Sequence, residues 1–141
     1  MVKKIVCVVG TRPEGIKMAP LIHALRRKRF AVTVLSTGQH LHMLHQALHF
    51  FDIRADVNLS IMEKQQTLDG ITVKVLKGVG DFLDRHPQDL ALVHGDTTTT
   101  MASALAAFYR RIPVGHVEAG LRSGDMSSPF PEEANRALTD R

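Results

Sequence analysis

The chain has 141 residues, of which 44% are hydrophobic and 23% charged, proportions that suit one globular domain with a core of its own. The net charge of +4 favours anionic ligands, but the cations are scattered apart from RRKR at 26–29, and six Phe, one Tyr and no Trp offer no platform for stacking bases, so nucleic acid is excluded as a partner. A single cysteine, Cys7, excludes an internal disulfide; with no apolar stretch near the ~20 residues of a membrane span and no cleavable leader, the cytoplasm is the expected compartment.

In chain order, KKIVCVV (3–9) predicts a buried strand closed by Gly10. PEGIKMAPLIHALRRK predicts a helix, with Pro13 at a first helical position and Glu14 near its positive end. Pro20 is expected to break it, giving a short turn and then a main helix whose apolar stripe is Leu21, Ile22 and Leu25. AVTVLST (31–37) predicts a second strand and LHMLHQALHFF (41–51) a second helix, with Leu41, Leu44, Leu48 and Phe51 on one side. A weak strand is expected near DVNL. The stretch TLDGITVKVLKGVGDFLDRH places Leu68, Ile71, Val75, Val79 and Phe82 at helical spacing, with a strand as the alternative because of ITVKV and three glycines. DLALVHGD predicts a strand, TTTTMASALAAFYRR a helix, IPVGHVE (112–118) a strand and EEANRALTDR a last helix. Strands alternating with helices imply an α/β fold with an open, mostly parallel sheet.

The unusual polar residues fall after the strands: GTR after the first, TGQH (37–40) after the second, HGDT (94–97) and EAGLRSGD (118–125) after two more. In a parallel sheet these ends share one edge, where open α/β sheets bind ligands at the switch in strand order. GTRPEGIK nearly spells a phosphate-binding loop, but Pro13 has no N–H and Lys17 comes one residue late. What remains is a turn with Arg12 and Lys17 near a helix N-terminus, which reads either as a seat for a diphosphate or as an ordinary turn. Asp96 or Thr97 is expected to cap the following helix; capping uses one side chain, and the other threonines are candidates for sugar hydroxyls or phosphate. Glu118, expected beside His116 with a raised pKa, reads as a general acid or base, or as a buried ion pair with Arg122. His42, His45 and His49 share a helix face, as in a metal site or a solvated surface.

GTRPEGIKMAPLI, LVHGDTTTTMASALAAFYRRIPVGHVEAGLRSGD and PFPEEANRALTDR resemble the amino-terminal half of non-hydrolysing UDP-N-acetylglucosamine 2-epimerases, from the first strand to Arg141. The resemblance implies a Rossmann-like, doubly wound sheet forming one half of a glycosyltransferase-B-type architecture. Residues 1–141 would be the amino-terminal domain, without the second, UDP-binding domain. It implies interconversion of UDP-GlcNAc and UDP-ManNAc through elimination and re-addition of UDP, with no NAD, other cofactor or metal. By position, Asp96, Glu118 and Glu132 match catalytic carboxylates, and Arg12, Lys17, His94 and Arg136 match substrate-binding residues. Gln39, His40 and Glu133 match a site for an allosteric second UDP-GlcNAc. Leu41 and His42 depart from the Arg and Glu or Gln usual there, and Gly15 stands where Ala is usual. The 141-residue chain alone is expected to be inactive and to self-associate, whereas full-length relatives are expected to be homodimers. The alternative function is a non-catalytic sugar-nucleotide or partner-binding domain.

Overall fold

The structure, a computed structural model, describes residues 1–38, 41–61, 63 and 65–141. The elements alternate in chain order: β1 (Lys4–Val9), α1 (Arg12–Arg27), β2 (Ala31–Ser36), α2 (Leu41–Phe50), β3 (Val57–Asn58), α3 (Leu68–Arg85), β4 (Leu90–His94), α4 (Thr98–Tyr109), β5 (Val114–Val117) and α5 (Glu132–Thr139). The strands form one sheet in the order β3-β2-β1-β4-β5, and every pairing is parallel. The chain winds outward from β1 to β3, then returns to the other side of β1 with β4. The switch point therefore lies between β1 and β4.

Side chains alternate across a strand, and β1 uses both faces. Val6 and Val8 join Leu35, Ala91 and Val93 beneath α3 and α4. Ile5, Cys7 and Val9 point the other way and join Val34 and Leu92 beneath α1 and α2. Helices on both faces explain why the strands read as nearly unbroken apolar runs. Cys7 is fully buried, and burial pushes its thiol up to about 12. Among the described residues no helix is long and apolar enough to cross a membrane.

Two expectations change for α1, and the helical reading of 68–85 holds over its alternative. α1 does not break at Pro20; it runs continuously through it. Ile16 and Pro20 are both exposed, so the hydrogen bond that proline cannot make is lost on the side of the helix open to water, where its loss is cheapest. The buried stripe of α1 is Met18, Ala19 and Ile22, with Leu21 and Leu25 only half-buried. α3 is a helix throughout, not a strand: Ile71, Val75, Val79 and Phe82 are buried as its spacing predicts, whereas Leu68 is exposed. Its glycines are points of close packing, Gly78 against Leu59 and Gly80 against the Arg110 guanidinium. Likewise a Cβ on Gly15 would come 2.7 Å from Leu44 Cδ1, which shows how tightly α1 meets α2. On α2, Leu44 and Leu48 are buried and His42, His45 and His49 are exposed, as a solvated face requires. Among the described residues no group of three His, Cys, Asp or Glu is placed to hold a metal ion.

Candidate active site at the carboxyl edge

The turn after β1 is closed by its own glutamate. Glu14 is 4% exposed, and its carboxylate accepts the N–H groups of Gly10 and Thr11. Thr11 and Glu14 stand three apart, the spacing of a capping box, which was the available sequence signal for this role. The other Glu14 oxygen accepts the Thr97 hydroxyl at 2.7 Å. The Gly10 and Thr11 N–H groups of this turn thus already hold an internal carboxylate. Burial, partly offset by these hydrogen bonds, raises the pKa of Glu14.

The four threonines also turn inward. Thr97 caps α4, its side chain accepting the Thr100 N–H at 3.2 Å. Thr100 donates its hydroxyl to the His94 carbonyl, and Thr98 lies 3.4 Å from the Asn135 amide. Thr98, Thr99 and Thr100 are buried. The expectation that these hydroxyls face a sugar or phosphate is corrected: the interior of the switch point consumes those of Thr97, Thr98 and Thr100.

Beyond this buried layer, polar and charged groups from α1, β4, α5 and the turn after β5 meet. Glu118 follows β5 in a left-handed conformation, with φ of 59°. One of its carboxylate oxygens is 2.6 Å from Lys17 Nζ and 3.4 Å from His94 Nε2. The other is 4.0 Å from Arg136 Nη2. The hydrogen bond from Lys17 is the main cause that holds the Glu118 carboxyl below its usual range. The expected raised pKa is therefore reversed, because a cation meets the carboxylate at the edge and outweighs its modest desolvation. The expected partner is corrected as well: Arg122 pairs with Glu133, and His116 turns to Gly95 and Asp140.

Asp96 ends the turn after β4, and its Oδ2 is 2.6 Å from Arg136 Nη2. The Arg136 side chain is 2% exposed and also donates through Nη1 to the Glu118 carbonyl. One guanidinium from α5 thereby ties together the turns after β4 and β5. Asn135 adds a bond of 2.9 Å to the Asp96 carbonyl. His94, 4% exposed, has its pKa lowered first by burial; its Nε2 has Glu118 at 3.4 Å, and its Nδ1 has no hydrogen-bond partner among the described residues. Glu132 precedes Arg136 by one turn, so both lie on one face of α5. The Glu132 Oε2 is buried and has no hydrogen-bond partner among the described residues.

The remaining sequence candidates stand elsewhere. Arg12 is exposed and lines a groove of about 370 Å³ between α1 and α2 with Ile16, Gln46 and Phe50. Five residues separate it from Lys17, which puts the two on different sides of α1. Glu133 accepts from Arg122 Nε at 2.9 Å and from the N–H groups of Ser123 and Gly124 at 2.9 and 3.2 Å. These donors hold its carboxyl down to about 2 and fix the loop ahead of α5. Gln39 and His40, the other candidate allosteric residues, lie outside the described residues.

A family model described as UDP-N-acetylglucosamine 2-epimerase matches residues 23–141. The UDP-N-acetylglucosamine 2-epimerase of Escherichia coli is 57% identical over 137 residues, which are 96% of this chain and 36% of that protein. The crystal structure of the Neisseria meningitidis UDP-GlcNAc 2-epimerase bound to UDP-GlcNAc superposes with a TM-score of 0.91 at 52% identity, covering 96% of this chain and 37% of that one. The Methanocaldococcus jannaschii enzyme in complex with UDP-GlcNAc and UDP gives a TM-score of 0.91 at 37% identity, covering 97% and 38%. The chain thus spans little more than a third of the length of these relatives.

Proposed function

Since the chain belongs to the UDP-N-acetylglucosamine 2-epimerase family, we propose that it forms the amino-terminal half of a site that interconverts UDP-GlcNAc and UDP-ManNAc. In the forward direction the C2–H bond breaks, its proton passing to a base, and the anomeric C–O bond breaks, UDP leaving with the electron pair. The resulting 2-acetamidoglucal takes UDP back at C1 and a proton at C2 from the opposite face. Such a reaction needs proton carriers around C2 and positive charge near the departing diphosphate.

The observation that carries the reading is the convergence of Asp96 and Glu118 with Lys17, His94 and Arg136 at the switch point. Glu118, held ionised beside Lys17, is suited to accept a proton. Glu132, whose Oε2 has no partner among the described residues, is suited to exchange one. Lys17 supplies a cation toward the edge that a second, UDP-binding domain would face, whereas Arg12 lines the groove between α1 and α2. The redox route is not needed, and the proposal includes no NAD or other cofactor. It also includes a cytoplasmic location, no nucleic-acid partner and a homodimeric full-length form.

The decisive experiment grafts residues 1–141 in place of the matching segment of the Escherichia coli relative and assays UDP-ManNAc formation. The graft is expected to turn over, and Asp96→Asn within it to lower kcat by about 10²–10⁴, the usual range for a positioned proton carrier. A folded graft that binds UDP-GlcNAc and never forms UDP-ManNAc would overturn the enzymatic reading in favour of a binding domain.

A further inference from the structure

We propose that His116 and Asp140 are a positioning pair that aims the His94–Asp96 turn by gripping the Gly95 carbonyl. Only the catalytic consequence rests on the function proposed above. The His116 ring, whose side chain is 8% exposed, stands between two oxygens. Nε2 is 2.7 Å from the Gly95 carbonyl, which can only accept, so Nε2 carries a proton and donates it. Nδ1 is 2.5 Å from Asp140 Oδ1, a hydrogen bond that fixes the plane of the ring.

Gly95 is the residue that needs such a grip. Its φ is 73°, and a Cβ placed on it would meet nothing within 4 Å. Gly95 has no side chain of its own to restrain the peptide unit that leads into Asp96, and glycine tolerates either sign of φ. The Gly95 N–H is bonded to the Val117 carbonyl at 2.9 Å, which pins one end of the residue to β5. The His116 bond pins the other end. Together they place His94, which lies 3.4 Å from Glu118, and Asp96, which is paired to Arg136, at fixed positions relative to β5 and α5. Without His116 the Gly95 carbonyl can rotate away, and the hold on Asp96 loosens to what Arg136 and Asn135 supply.

The test uses two isosteres that each keep half of the imidazole. In His116→Gln the amide nitrogen falls near the Nε2 position and can still donate to Gly95; in His116→Asn it falls near Nδ1 and cannot. On the 141-residue chain, the Gly95 and Asp96 amide resonances are expected to shift in His116→Asn and to stay near their wild-type positions in His116→Gln. Asp140→Asn is expected to broaden them by loosening the ring. In the graft described above, His116→Asn should lower kcat by tenfold or more, since misplacement of about 1 Å can cost about 10²-fold, with KM changed less than kcat and with His116→Gln restoring most of the rate. If both variants shift the two resonances equally, or neither does, the proposal is wrong, whatever the graft shows. Equal losses of kcat in both variants with intact resonances would also overturn it.

Discussion

Glu118 and Glu133 are both held acidic, by different arrangements that suit different work. Glu118 faces the open edge with its side chain 35% exposed, and its main partner, Lys17, is 51% exposed. Such a pair can open to admit a substrate. Glu133 has a side chain 2% exposed and is fastened by a guanidinium and two backbone N–H groups, so it is spent on the loop. Lys17→Met should let the Glu118 carboxyl rise toward its ordinary range, as followed by carbon-detected titration in NMR. An unmoved titration would assign the effect to His94 and Arg136 instead. For Glu133 the folded pKa lies near 2, below its ordinary value of 4.5. Its contribution is therefore complete above about pH 4.5 and is lost as pH falls toward about 2. Glu133→Gln should be less stable than wild type at pH 6, and the gap should close through that window when urea midpoints are compared. A gap independent of pH would show that shape, not charge, secures the loop.

At the scale of elements, Glu14 joins the N-termini of α1 and α4. It satisfies the β1–α1 turn and receives the hydroxyl of the residue that caps α4. Removing it in Glu14→Ala strands buried donors and should cost about 1–3 kcal/mol, read from urea unfolding; Glu14→Gln, whose amide oxygen still accepts, should cost less. Pro20 acts in the opposite sense. The fold tolerates it inside α1 because packing of Met18, Ala19 and Ile22 against the sheet outweighs one missing hydrogen bond. Pro20→Ala restores that bond and improves helix propensity by up to about 3 kcal/mol, less about 1 kcal/mol for the freer unfolded chain. A net gain of about 1–2 kcal/mol is expected, and a loss of stability would show that the proline ring packs usefully where the helix is exposed.

At the scale of the whole molecule, the charged groups line one edge of the sheet. The carboxyl edge gathers Lys17 from α1, His94 at the end of β4, Asp96 after it, Glu118 after β5 and Arg136 from α5, and the relatives the chain matches are nearly three times as long. Because positioning supplies a large share of catalysis, purified residues 1–141 should form no measurable UDP-ManNAc on their own; turnover by that chain would refute the half-site reading. The edge was legible in the sequence because it follows from a rule of connection. Alternating strand and helix patterns oblige a parallel sheet, and a parallel sheet brings every strand-ending loop to one side, so GTR, HGDT and EAGLRSGD belong together on the strength of the sequence alone. The pairing of the charges within that edge was not legible. Lys17 and Glu118 lie 101 positions apart and Asp96 and Arg136 lie 40 apart, and nothing local in either stretch selects one partner over another. Tertiary structure decided that Arg122 takes Glu133 and leaves Glu118 to Lys17, that Glu14 fills the turn expected to take a phosphate, and that the threonines bond inward. The reason is that Coulomb attraction and hydrogen bonding act over a few ångströms of space, whereas the sequence specifies directly only the periodicities and turns from which that space is built.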